Sequence, residues 1–189
     1  MKKSWRFILL LAVTALVVQP LAATTMLQMD LAALTERAGR IFRGTVVDVE
    51  QTTVAAGGGE LPAVAYRLRV EELFKGEADL VKGDEAMIEI KMVGSIKGAV
   101  REGDVVRFDK FGDVPKLTMG SDYLLFATPP SAAGLSTTVG LGQGAFTVFS
   151  RDKEDYALNA FNNSGLGLNG PGAAAYFEIK AKILALLGQ

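Results

Sequence analysis

Any chemistry in this chain would have to come from carboxylates, lysines, tyrosines or hydroxyls, because its 189 residues include no histidine and no cysteine. Zinc held by imidazole or thiolate, histidine-based triads and thiol nucleophiles are therefore excluded. The tightest carboxylate pair is Glu71-Glu72. Neighbours in a strand point to opposite faces, so the two are not expected to share a proton or a sugar unless a bulge turns them to one side. Arg151 to Asp155 (RDKED) gathers further carboxylates without the spacing of a calcium loop and reads as a solvated turn. Gly140, Gly142 and Gly144 lack the strand-then-helix context of a dinucleotide loop. They read as a kink where only a missing Cβ avoids a clash, with a ligand near Gln143 as the alternative. Asn162-Asn163-Ser164 matches a glycosylation sequon, which has no meaning in a bacterial host. No catalytic set, metal site or cofactor is expected.

The first residues address the compartment. Lys2, Lys3 and Arg6 precede an uncharged run from Phe7 to Val18, and Pro20-Leu21-Ala22-Ala23 ends in small residues. This is the pattern of a secretory signal peptide over residues 1–23, cut after Ala23. Gln19 and Pro20 leave the run too short to span a bilayer, so no membrane anchor is expected after cleavage. A lysine-rich start and a cysteine-free chain suggest a bacterial exported protein, periplasmic or extracellular. A lipid-anchoring cysteine is absent. The remainder, 24–189, fits one domain stabilised without disulfides, with residues 150–189 as a C-terminal extension. The chain has 20 basic and 21 acidic residues, and three of the basic ones sit in the leader, so the mature surface is a poor match for nucleic acid.

The elements follow from periodicity. Asp30 as N-cap, Leu31, Leu34 and Ala38 on one face, and Gly39 beyond predict a short helix. Strand alternation over Thr45 to Glu50 puts Thr45, Val47 and Val49 on one face, and Arg43-Gly44 marks a bulge. Ala55 to Pro62 (AAGGGELP) reads as a mobile hairpin tip, or as a partner-binding loop centred on Gly57, Gly58 and Gly59. Tyr66, Leu68 and Val70 should face the core. Lys82-Gly83-Asp84 turns into a strand with Ala86, Ile88, Ile90 and Met92 on one face. Val105 to Phe108 could be a short strand, and Phe111 to Asp122 a loop. Tyr123 to Thr128 is apolar on both faces, as a strand buried on both sides. Pro171 sits where a helix should begin, with Tyr176, Ile179, Ile183, Leu186 and Leu187 as its apolar stripe before Gly188.

A short helix, a bent strand F-R-G-T-V (Phe42 to Val46), Y-x-L-x-V-x-x-x-F-K-G (Tyr66 to Gly76) and G-x-x-Y-L-L-F (Gly120 to Phe126) follow in that order. This order resembles the netrin-type module and the tissue inhibitors of metalloproteinases, over roughly residues 24–128. The resemblance implies a mainly β fold with flanking helices: a five-stranded OB-like barrel with an added C-terminal amphipathic helix. Phe42, Gly44, Tyr66, Val70, Phe74, Gly76 and Tyr123 would be its structural positions. It also implies binding without catalysis. In those inhibitors the mature terminus ligands the protease's zinc through its amino and carbonyl groups. Here that terminus would be Thr24, followed by Thr25 and Met26, as an untethered tail because no cysteine pins it.

The leading expectation is thus an exported, non-enzymatic protein-binding module, an inhibitor or partner of a secreted metalloprotease. The alternative is a small-ligand or lipid carrier using the barrel interior. Tyr66, Leu68, Ile88, Ile90, Tyr123 and Phe126 look large enough to fill a small barrel and leave no cavity. Exposed aromatics within 145–163 would mark an interface outside the resembling region.

Overall fold

A computed structural model describes residues 27–82, 85–96, 99–102, 105–108 and 114–189. Residues 1–26, which hold the expected signal peptide and Thr24 to Met26, lie outside them, as do Gly83-Asp84 and Phe111 to Asp113.

Helix α1 (Leu31–Arg37) starts where Asp30 accepts a hydrogen bond from the Ala33 N–H at 2.8 Å, and it buries Leu31 and Leu34. Its end differs from the expected glycine cap. Ala38 is already extended, the Gly39 N–H donates to Ala127 O, and a Cβ on Gly39 would meet the Pro129 ring at 2.7 Å. Gly39 is required by this close approach. Lys75 Nζ closes the helix instead, donating to the Thr35 and Glu36 carbonyls.

The strands are β1 (Arg40–Ala56), β2 (Gly59–Lys75), β3 (Leu80–Lys82), β4 (Glu85–Val93), β5 (Ala99–Glu102), β6 (Val105–Phe108), β7 (Asp122–Ala127), β8 (Ala145–Arg151), β9 (Glu154–Asn159) and β10 (Ala174–Ala175). All pairs are antiparallel, in an eight-stranded sheet ordered β10-β9-β8-β7-β1-β2-β4-β3, with β5-β6 a separate hairpin. The mainly β character with flanking helices is as expected; the closed five-stranded barrel is not. Beyond β7 the sheet continues into β8, β9 and β10, so β7 spends its second edge on β8 and has none left to close on β4. A loop makes the nearest approach to closure, with Ser136 N–H donating to Lys91 O on β4.

Three irregularities bend the β1–β2 ribbon. The predicted bulge at Arg43-Gly44 is present, with the extra residue, Glu71, on the partner strand. A second lies at Phe74 and a third at Val47. The Val47 bulge breaks the expected alternation: Val46 is buried opposite Leu68, and Val49 opposite Tyr66, expected on the other face, packs on the same core. The hairpin tip is shorter than AAGGGELP suggests. Gly57 (φ 62°) and Gly58 (φ 80°) form a two-residue turn while the flanking residues through Gly59 and Pro62 pair in the ladder, as a hairpin with both central residues at positive φ should.

Alternation splits the apolar residues between two cores. One face carries Phe42, Val46, Tyr66, Leu68, Ile88, Ile90, Met92, Tyr123 and Leu125, covered by Leu117. The other carries Ile41, Leu124, Phe126, Phe146 and Val148, covered by α1 and by helix α2 (Tyr176–Leu187) through Tyr176, Ile179 and Ile183. Tyr123 to Ala127 is buried on both faces, as its sequence predicts. Of the positions the resemblance singles out, Phe42, Tyr66, Val70 and Tyr123 serve the first core, while the bulge turns Phe74 into the second. Gly44 lies where a Cβ would be 2.6 Å from Arg69 O, and Gly76 has φ 85° against Gly39 O. Helix α2 begins five residues later than Pro171 suggests, because Ala174 and Ala175 pair with β9 first.

Candidate functional site

Glu71 and Glu72 do not point to opposite faces: the bulge at Glu71 brings both to the side covered by α2. There they flank Arg43, whose side chain is only 14% exposed. Its guanidinium meets Asp122 Oδ2 at 2.6 Å, Asp155 Oδ2 at 2.8 Å and Glu71 Oε2 at 3.4 Å. It also lies 4.5 Å over the Tyr176 ring, a cation–π geometry. The Tyr176 hydroxyl and Lys180 Nζ both donate to Glu72. Strands β1, β2, β7 and β9 and helix α2 are thus joined through one arginine and its neighbours.

Burial works against the Arg43 charge, but hydrogen bonds to Asp122 and Asp155 outweigh it and raise its pKa. Burial, helped by the nearby Glu72 charge, raises that of the Tyr176 hydroxyl. The two aspartates diverge. Burial raises Asp122 above its ordinary 3.8, since Arg43 engages only Oδ2 and the buried Oδ1 has no hydrogen-bond partner among the described residues. The Ser150 hydroxyl, then Arg43, lower Asp155 below 3.8. A carboxylate with a raised folded pKa makes the fold more stable as pH falls through that value; a lowered one takes stability away as pH falls through it. Relative to Asp122→Asn, the wild type should therefore gain stability on acidification toward 3.8, and relative to Asp155→Asn it should lose stability below 3.8. Urea unfolding at stepped pH checks this, and the same sign for both substitutions would refute it. Every carboxylate of the cluster meets a cation or donor, which makes it a clamp between sheet and helix.

Gln143 is not open to a partner. It is 5% exposed, its Oε1 accepts from the Met29 N–H at 2.8 Å, and its Nε2 donates to the Leu27 carbonyl at 2.9 Å. The chain that approaches the glycines is the protein's own amino-terminal segment. Leu141–Gly144 is a 3-10 turn in which a Cβ on Gly144 would meet Val139 O at 2.4 Å, and one on Gly140 would crowd Met29 Sδ at 3.2 Å. The kink reading of these glycines holds. The Leu31 N–H donates to Leu166 O, so the chain is tethered from Leu27 onward without any cysteine; the tail Thr24 to Met26 lies outside the described residues. Gln143→Leu should cost about 1–3 kcal/mol by stranding two backbone groups. Hydrogen exchange at the Met29 amide should accelerate while that at Phe126 does not; an unchanged Met29 rate would show that the bracket holds nothing.

Gly57, Gly58 and Gly59 sit at an exposed tip with nothing within 4 Å of a built Cβ, remote in the ladder from Gln143. Gly57 to Gly59 and Gln143 therefore serve separate places, and Thr24 to Met26 lie outside the described residues. RDKED is a turn as predicted, with Asp152 and Lys153 at positive φ, but Asp155 leaves it for Arg43. The sequon holds a buried residue: Asn163 Nδ2 donates to Ala157 O and Gly172 O, and its Oδ1 accepts from the Asn159 N–H.

This asparagine anchors the loop bordering a groove of about 450 Å3, which is lined by residues 168–175 together with Glu154, Tyr156, Phe177 and Glu178. Phe177 is 63% exposed. Phe149, also exposed, stacks on Tyr156 with centroids 6.2 Å apart. Phe149 and Phe161 are the exposed aromatics of 145–163 that an interface would show. Tyr156 falls in the 145–163 window that the sequence singled out, whereas sequence reasoning missed Phe177 because the helix stripe was read for the core alone. Among the described residues no group of three or more His, Cys, Asp or Glu could hold a metal ion, and no helix is long and apolar enough to cross a membrane. No protein-family model matches the chain, and no curated protein matches it in sequence.

Proposed function

We propose that this chain is an exported, non-catalytic protein-binding module whose contact face is the outer surface of β8 and β9 together with the start of α2. The carrying observation is the aromatic group on that face, where Phe149 stacks on Tyr156 and Tyr156 shares the groove with Phe177. Large side chains left open beside a groove are what interface cores are made of. The carrier alternative has less support. The pocket beside the first core, between Tyr66, Met92 and Val114, holds about 10 Å3, roughly the space of one water molecule.

The tether at Leu27–Met29 favours a second reading within the same class, inhibition of a secreted metalloprotease through a mature Thr24 terminus. One extra residue ahead of Thr24 should then abolish inhibition; an equally potent extended protein would refute it.

The test of the main reading is capture from the exported proteins of the producing organism, with wild type and Phe149→Ser/Phe177→Ser compared side by side. A partner held by the wild type and lost by a variant of unchanged circular dichroism and Tm supports the reading. A partner retained equally by both, or no partner at all, overturns it.

A further inference from the structure

Resting on the binding-module reading, we infer that the groove between β9 and α2 receives a lysine or arginine side chain presented by an extended segment of the partner protein. Glu154, Tyr156, Phe177 and Glu178 line it together with Asn169 and Pro171. Two carboxylates and two aromatic rings in one groove match a cation that is flat or long-stemmed. The carboxylates take its charge, the ring faces attract it through their quadrupoles, and its methylene stem lies on apolar surface.

Among the described residues neither Glu154 nor Glu178 is ion-paired, in contrast to Glu71, Glu72 and Glu89, each of which has a cation within salt-bridge distance. Glu154 accepts only from the Tyr156 hydroxyl, at 3.3 Å. Glu178 lies in the first turn of α2, where it opposes the partial positive charge of the helix start. That accounts for Glu178; it does not account for the second carboxylate, Glu154, in the same aromatic-lined groove. In the loop that lines it, Gly170 and Gly172 adopt φ 123° and 116°, and a Cβ on either would meet nothing within 4 Å. At these two glycines an extended peptide backbone can approach closely.

The test uses the mature protein, isotopically labelled, titrated with the capped pentapeptide Ala-Ala-Arg-Ala-Ala, its norleucine counterpart, and butylguanidine. The arginine peptide should shift the amide signals of Tyr156, Gly170, Gly172 and Phe177, and the norleucine peptide should not. Glu154→Gln/Glu178→Gln should weaken the arginine peptide by about tenfold or more, and added salt should weaken it further. Equal shifts with norleucine, or none with arginine, would overturn the inference. Binding of butylguanidine as tight as that of the peptide would also overturn it, by assigning the groove to a free small cation. If Phe149→Ser/Phe177→Ser loses a captured partner that Glu154→Gln/Glu178→Gln retains at full affinity, the module reading stands and the basic-residue inference falls.

Discussion

Arg43→Met should unfold at markedly lower urea, with a loss of about 3 kcal/mol. Asp122, Asp155 and Glu71 would face one another across a site closed by Tyr176, with their shared cation removed. Removing one partner of a buried pair typically costs about 3–5 kcal/mol. The lower end applies because Glu71 and Asp155 have side chains 37% and 32% exposed, so water softens their repulsion. Arg43→Lys should recover only part of the loss, since an ammonium cannot fork between two carboxylates and lie flat on a ring. Amide exchange should rise in α2 before it rises in β1 and β2, because the cluster is what ties α2 to the ribbon. A stability within about 0.5 kcal/mol of wild type, the usual scatter for surface changes, would show that the cluster is decorative.

Asn163→Ala should be as damaging, by about 3 kcal/mol or more, since it strands the Ala157 and Gly172 carbonyls and the Asn159 N–H, each at about 1–3 kcal/mol when buried. Asn163 also has φ 54°, a left-handed conformation that asparagine tolerates and alanine resists. The groove wall from Leu168 to Ala173 depends on these bonds, so binding at the groove should be lost in the same variant. Thermal unfolding together with the Gly170 and Gly172 amide signals reports both effects. Sharp, unmoved glycine signals at an unchanged Tm would refute the role assigned to Asn163.

Much of the scaffold was legible along the chain. The Asp30 cap, the β1–β2 hairpin, the face of β4 and the buried strand β7 are local patterns, and a period of two or 3.6 with its punctuation suffices to recognise them. The closed barrel was misjudged because closure depends on which edge β7 offers to which strand, and Ala145 to Asn159 carries no local sign that it takes that edge. The bulges at Val47, Glu71 and Phe74 are likewise properties of two paired strands. They put Val49 on the same core as Val46, Phe74 in the other core, and Glu71 beside Glu72.

The candidate surface was legible only in outline. Aromatics within 145–163, Tyr156 among them, were a usable signal; the meeting of Tyr156 with Phe177, Glu154 and Glu178 was not, since these come together from a strand and a helix with a glycine-rich loop between them. Gln143 shows the same limit, since a glutamine among glycines reads as bait for a ligand until the chain's own Leu27 and Met29 are found on it.

By itself the amino-acid sequence determined the absence of imidazole and thiol chemistry, the mainly β class, the short capped helix and the apolar stripe of α2 apart from Leu186, which is exposed, because residue type and near-neighbour spacing decide these. The tertiary structure alone decided the open sheet, the Arg43 clamp, the tether at Gln143 and the acidic aromatic groove. Each of these joins residues distant in sequence, and their approach is selected by the packing of two cores on one bent sheet.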